Sequence, residues 1–161
     1  MPVWIVRAGK DGDRQEFALR ESVAVIGHDT TPDLSRYETR DQFNEIYRKI
    51  NPDAKPNSIL SWAAQAYAFA KRIKVGDLVI VPLKGQAVAI GRVVGDYEFR
   101  PDNPAGAKHI RRVKWVAQEL PRSRFDADLL NSFGSLLTVC QIKRNNAEER
   151  INSILFTSSS S

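Results

Sequence analysis

The stretch "DLVIVPLKGQAVAIGRVVGDYEF", residues 77–99, decides the fold class. Its first apolar run, Asp77 to Leu83, is too short for a typical helix and rich in Val and Ile. Lys84-Gly85-Gln86 breaks it, and a second β-rich run follows to Phe99. Two such runs around a Gly-containing break read as a β-hairpin. Working outward, "HIRRVKWVAQEL" (109–120) and "LLTVCQI" (136–142) are further strand candidates downstream. "VWIVRAG" (3–9) and "VAVIG" (23–27) are strand candidates upstream, the first followed by the loop "KDGD". That makes about six strands.

Between the upstream and downstream strands the period changes to helical. In "SRYETRDQFNEIYRKINP", Phe43, Ile46, Tyr47 and Ile50 fall at i, i+3, i+4 and i+7, one apolar stripe. Thr39 caps this helix with Gln42 three residues on, a capping-box spacing, and Asn51-Pro52 stops it. "PNSILSWAAQAYAFAKRI" is a second helix, expected to be capped by Asn57 or Ser58 and apolar nearly all round. Ser61 and Gln65 share one face of it, as a stripe that bonds a loop or lines a pocket. "DADLLNSFG" predicts a short helix and "NAEERINSILF" a C-terminal amphipathic one. Helices early and late around a block of strands predict an α+β domain, built on a curved sheet or small β-barrel of about six strands flanked by helices.

The chain has 161 residues, 42% hydrophobic and 27% charged, the ordinary globular range. The reading is a single domain over 1–156 with a Ser-rich tail or linker at 157–161, beyond which the native protein could continue. One cysteine, Cys140, leaves no intramolecular disulfide and no Cys-based zinc site, which fits a reducing cytoplasm. No signal-peptide pattern opens the chain, and no apolar run approaches the length of a membrane span. The two histidines lie far apart in sequence and form no recognisable metal site or nucleophilic triad, so neither catalytic residue nor cofactor is expected. "DYEFR" (96–100) superficially matches a nuclease acid pair, but a strand end explains it as well.

The formal net charge is +5. From Arg100 to Arg124, seven basic residues face two acidic ones, so this window alone carries the excess. Concentrated positive charge is an electrostatic footprint for phosphates, although it also describes a solvated surface. Arg100, Lys108, Arg111 and Arg112 are the candidate contacts to a nucleic-acid backbone. Arg111 and Arg112 are adjacent, so in a regular strand they point to opposite faces unless a bulge intervenes.

Four segments, "WIVRAG", "VAVIGH", "KVGDLVIVP" followed by "IGRVVGDYEF", and "IRRVKWVAQELP", together resemble the PUA-like superfamily and, within it, the EVE and YTH branch. The same opening pattern is similar to N-terminal domains of restriction systems that cut modified DNA. The resemblance implies a PUA-like fold and a reader that takes a methylated or otherwise altered base into an aromatic-lined pocket. It implies DNA carrying a modified base as partner, RNA or a nucleotide ligand as the alternative, and a nuclease domain following in the full-length protein. It also implies the pocket residues: Arg7, Ala8 and Gly9 at the first strand exit, and His28 where the branch often has a cage tryptophan, with Asp29 beside it. Tyr97, Trp62 and Phe99 complete the set as further walls. His28 fits an ordinary loop residue as well, and Asp29 and Thr30 fit turn capping as well as base contact. Trp62, on its apolar helix, fits core packing, and Tyr97 and Phe99, on one face of their strand, fit core as well as cage.

Overall fold

The structure is a computed structural model that describes residues 2–8, 14–125, 127–133, 138–142 and 147–159. In chain order the elements are β1 (Val3–Val6), α1 (Gln15–Glu21), β2 (Val23–Ile26), α2 (Arg40–Ile50), α3 (Pro56–Tyr67), β3 (Leu78–Leu83), β4 (Ala87–Phe99), β5 (His109–Pro121), α4 (Ala127–Phe133), β6 (Val139–Ile142) and α5 (Ala147–Ser159). Short 3₁₀ turns stand at Leu34–Arg36 and Arg122–Arg124, and α3 continues into a π-turn over Ala68–Arg72. Among the described residues no helix is long and apolar enough to cross a membrane.

The six strands form one mixed sheet in the order β2-β5-β4-β3-β1-β6. β1 pairs parallel to β3, and every other pair is antiparallel. The 77–99 stretch supplies the centre: all six residues of β3 are buried, and β4 returns beside it from Leu83↔Ala87. The turn between them needs positive φ twice, at Gly85 (80°) and Gln86 (68°), and glycine meets the first demand without a Cβ penalty. Pro82 is tolerated in this central strand because the ladder to β1 covers only Leu78 to Ile80.

The barrel alternative is corrected here: the sheet is open, with β2 and β6 as its edges. The strands explain why. Val3 and Ile5 of β1 face one core, with Leu78, Ile80, Val88 and Ile90, that is closed by Leu129 of α4 and by Ile151 and Leu155 of α5. Trp4 and Val6 face a second core, with Ile26, Val79 and Val113, closed by Phe69 of the π-turn and by Ile73. A sheet apolar on both faces needs helices on both faces, whereas a small closed barrel has a single packed interior.

Helix α2 forms as its sequence predicts. The Thr39 hydroxyl accepts from the Gln42 N–H at 3.2 Å, and the Gln42 side chain accepts from the Thr39 N–H at 3.0 Å. Helix α3 starts earlier than predicted. Its N-cap is Lys55 and Pro56 stands in the first turn, where a missing N–H costs nothing and the fixed φ is already helical. Phe43 and Tyr47 of α2 pack with Ile59, Ala63 and Ala66 of α3 and with Leu34. This small helical layer stands beside the exit of β2.

Candidate functional site

β2 leaves the sheet at Ile26 and turns at once through Gly27, His28, Asp29, Thr30 and Thr31. The turn is tight: the His28 carbonyl accepts from the Thr31 N–H (3.2 Å) and the Thr31 hydroxyl (2.7 Å). It faces the C-terminal end of α2 and one side of α3. Together these elements line a cleft of about 400 Å³ with Gly27, His28, Asp29, Thr30, Thr31, Tyr47, Asn51 and Trp62. Three aromatic rings therefore meet at one cavity. Trp62 is 37% exposed, unusual for so large an apolar side chain. His28 Nδ1 is hydrogen-bonded to the Tyr47 hydroxyl, and the two rings meet edge-on at 5.6 Å. Asn51 is held by its side-chain amide, which donates to the Tyr47 carbonyl at 3.1 Å.

Behind the cleft lies the second histidine. His109 is fully buried at the start of β5, opposite Ile26 of β2. Its Nε2 is 2.8 Å from the His28 carbonyl and 2.8 Å from the Thr31 hydroxyl. A carbonyl only accepts, so Nε2 carries the proton. Nδ1 is then the acceptor, and the Tyr97 hydroxyl donates to it at 2.6 Å while accepting from the Leu34 N–H at 3.0 Å. Tyr97 stacks on the His109 ring at 5.9 Å, and Phe99 packs against the same ring at 5.2 Å. Burial, with a smaller contribution from His109, lowers the His28 pKa to about 4, against the opposing charge of Asp29. Burial lowers that of His109 too, opposed by its hydrogen bond to the His28 backbone. Both imidazoles are therefore neutral at physiological pH. Burial also raises the Tyr47 and Tyr97 hydroxyls, so they act as neutral donors and acceptors.

The predicted pocket residues thus divide. His28, Asp29 and Trp62 come together. Tyr97 and Phe99 support the His28 turn through His109 instead of lining this cleft. Ala8 is 2% exposed and packs with Ala18, Val23 and Val25, a core position that a small apolar side chain after β1 fills. The Arg7 N–H donates to the Thr138 carbonyl at 2.9 Å, and Arg7 is not among the residues around the cleft. Gly9 lies outside the described residues. Thr30, read with Asp29 as a base-edge or turn-capping residue, also lines the cleft, whereas Tyr47, Asn51 and Thr31 escaped the sequence reading. Tyr47 carried a signal, a hydroxyl on an apolar stripe at the last turn of a helix.

Among the backbone candidates, Arg111 is corrected. It is 2% exposed and donates to Gly95 O (3.0 Å), Phe69 O (3.0 Å) and Ile73 O (2.7 Å). These carbonyls include the free end of the π-turn, where a cation answers both the unpaired acceptors and the helix dipole. Its neighbour Arg112 points outward, so the pair divides as an ordinary strand demands. Of the register shifts between β4 and β5, the one nearest this pair lies on β4, between Val93 and Tyr97. Arg100 and Arg112 are about half exposed and both bind Glu98, Arg112 through Nε at 2.8 Å. Burial works against the Glu98 charge, but the hydrogen bonds and charges of the two arginines outweigh it and hold the carboxyl below the usual range. Lys108 closes the 100–108 loop, its carbonyl accepting from the Arg100 N–H at 2.7 Å. Asp29 fastens that loop to the cleft by accepting from the Gly106 N–H at 2.7 Å.

Comparison with known proteins adds the following. No curated protein matches the chain. Among solved structures it is similar to one titled "Crystal structure of the MmI1 YTH domain", at 11% identity, covering 100% of each chain, with a TM-score of 0.49. A family model described as "Domain of unknown function (DUF8426)" matches residues 4–143. With nearly all of the sheet and the whole cleft inside that match, the chain belongs to the DUF8426 family.

Proposed function

We propose that this domain is a binding module that reads a modified base in DNA, accepting the flipped base in the cleft between the β2 turn, α2 and α3. The carrying observation is that cleft: about 400 Å³ in volume, lined by His28, Tyr47 and Trp62 together with the hydroxyls of Thr30 and Thr31 and the Asn51 amide. Its volume falls in the range of small-molecule sites, roughly 300–1,000 Å³. Aromatic faces give stacking, and uncharged polar groups give hydrogen bonds to a base edge. A neutral His28 offers both without placing a positive charge in the cavity.

The energetics fit a reader whose preference is modest and whose grip is electrostatic. Flipping a base costs a few kcal/mol, stacking on aromatics returns about 1–3 kcal/mol, and one buried methyl adds about 0.8 kcal/mol. Phosphate contacts must supply much of the rest. Arg100, Lys108 and Arg112 remain the candidates for them, within the basic 100–124 window. In this reading the domain targets a modification-dependent restriction protein to its substrate. The resemblance of the four quoted segments to the EVE and YTH branch supports the base-reading, and that of the opening pattern to N-terminal domains of restriction systems supports the targeting role.

The test is a titration of matched oligonucleotides, single- and double-stranded, carrying N6-methyladenine, 5-methylcytosine, 5-hydroxymethylcytosine or no modification. One modified DNA should bind more tightly than its unmodified match, and Trp62→Ala should remove the difference while leaving Tm nearly unchanged. Equal binding of all DNAs overturns the reading. Binding that requires a 2′-hydroxyl transfers the cleft to RNA.

A further inference from the structure

A second cavity, of about 260 Å³, opens between α1 and the outer side of β5, away from the aromatic cleft. Phe17 and Glu21 of α1, Val23 of β2, Ile110 and Arg112 of β5, and Arg100 and Asn103 of the loop between β4 and β5 line it. An exposed ion pair is worth little by itself. Here, however, one carboxylate holds two guanidinium groups at the rim of a pocket. Glu98 Oε2 takes the Nε–H of Arg112 at 2.8 Å, and Glu98 Oε1 takes an Nη2–H of Arg100. Bonding through Nε leaves the terminal Nη1/Nη2 fork of Arg112 uncommitted to Glu98, and that fork can meet two oxygens of an oxyanion. Arg100 and Arg112 against Glu98 sum to +1, and Glu21, the other carboxylate lining the pocket, stands 3.6 Å from the Arg20 Nε, which offsets its charge.

The floor favours an anion that carries an organic group. Val23 and Ile110 are buried beneath the arginines, and Phe17 is part-buried with the Arg20 guanidinium over its ring at 5.6 Å. Arg100 also begins the 100–108 loop, whose Gly106 is bonded to Asp29 in the aromatic cleft. One short loop therefore joins the two cavities.

We propose that the α1–β5 pocket is a phosphate seat, in which Arg100 and Arg112, pre-oriented by Glu98, take the oxyanion of a phosphodiester or a free phosphate. The phosphodiester source rests on the reading given under Proposed function; the seat itself does not.

The test uses the full chain with Arg100→Gln and Arg112→Gln, both at half-exposed positions, with Tm as the folding control. Affinity for labelled unmodified and modified DNA is measured against salt, and the arginine Nε–Hε NMR signals are followed with inorganic pyrophosphate. A phosphodiester seat predicts that each variant flattens the log–log salt slope by about 0.9 on duplex DNA, or about 0.7 on a single strand. The preference for modified DNA should persist in both variants. If the wild type binds no oligonucleotide but the Arg112 Nε signal moves with pyrophosphate and Arg112→Gln abolishes binding, the seat stands for free phosphate while the base-reader reading fails. Unchanged salt slopes together with silent Nε signals overturn the seat, whatever becomes of the base preference.

Discussion

Replacing Arg111 with Met keeps most of the side-chain length but removes every donor. In the native protein that guanidinium serves Gly95 O, Phe69 O and Ile73 O, all within 3.0 Å. A buried carbonyl that loses its donor costs about 1–3 kcal/mol. Three of them sum to roughly 3–9 kcal/mol on that scale. Removing the guanidinium also removes its own desolvation, a cost of several kcal/mol that works the other way. Asp96 and Asp77 nearby, whose charges favour the cation, recover part of that cost already. A net loss of about 3 kcal/mol is expected. At roughly 2–4 °C per kcal/mol for a chain of this size, Tm falls by about 10 °C. Urea unfolding followed by tryptophan fluorescence gives the free-energy difference, and an unchanged m confirms that both proteins unfold from the same state. Arg111→Lys keeps the charge but gathers its donors on one nitrogen, so it should lose an intermediate amount. Where that variant stays folded, the salt dependence of DNA binding should match wild type, because Arg111 never reaches solvent. A loss below about 1 kcal/mol for Arg111→Met would refute the assignment of this arginine as the cap of the π-turn.

Tyr97→Phe leaves the Leu34 N–H and His109 Nδ1 without the hydroxyl that joins them, and should cost about 1–3 kcal/mol in urea unfolding. The pH dependence follows from His28, whose folded pKa of about 4 lies below the unfolded value of 6.5. The unfolded chain takes up the proton first, so stability is full above pH 6.5 and falls as pH drops from 6.5 toward 4. His109 acts in the same direction. His28→Gln should flatten a plot of Tm against pH across that window, whereas an unchanged slope would disprove the depressed imidazole. Gly91→Ala places a Cβ 3.0 Å from Trp115 Cε3 and 3.1 Å from Val113 Cβ, and should destabilise by about 1–3 kcal/mol through overpacking, read as a lower urea midpoint.

Much of the fold was legible because its signals are local. The apolar runs of β3, β4 and β5, the break at Lys84-Gly85-Gln86 and the capping box of α2 all lie within a few residues of what they determine. Helix α1 escaped because it is only seven residues long, with Ala18 its one buried residue. The closed-barrel alternative failed because strand patterns do not reveal whether a second apolar face meets another strand or a helix. Arg111 was misplaced for a related reason. Alternation could place it opposite Arg112, but the waiting carbonyls belong to residues 38 and 42 positions away.

The site was legible only as the point where an apolar run ends in His28. What makes that turn a fixed wall is a set of contacts between segments far apart in sequence: 28 with 47 and 109, 34 with 97, and 29 with 106. The antiparallel register of β2 and β5 is the step that sequence spacing lacks. Once Ile26 stands opposite His109, the residues after Ile26 must pass over the imidazole, and the His28 carbonyl falls within reach of Nε2. The two histidines therefore play different parts. His109 spends both ring nitrogens on the fold, and its neutral, singly donating tautomer fixes the turn. His28 spends Nδ1 on Tyr47 and keeps its remaining ring edge for the cleft. A ligand at that edge meets a ring already held by α2, on a backbone held by His109 of β5, so little ordering cost falls on binding. Under the proposed base-reading, that pre-organisation is what would let a cleft with only modest stacking energy discriminate between bases that differ by one methyl group.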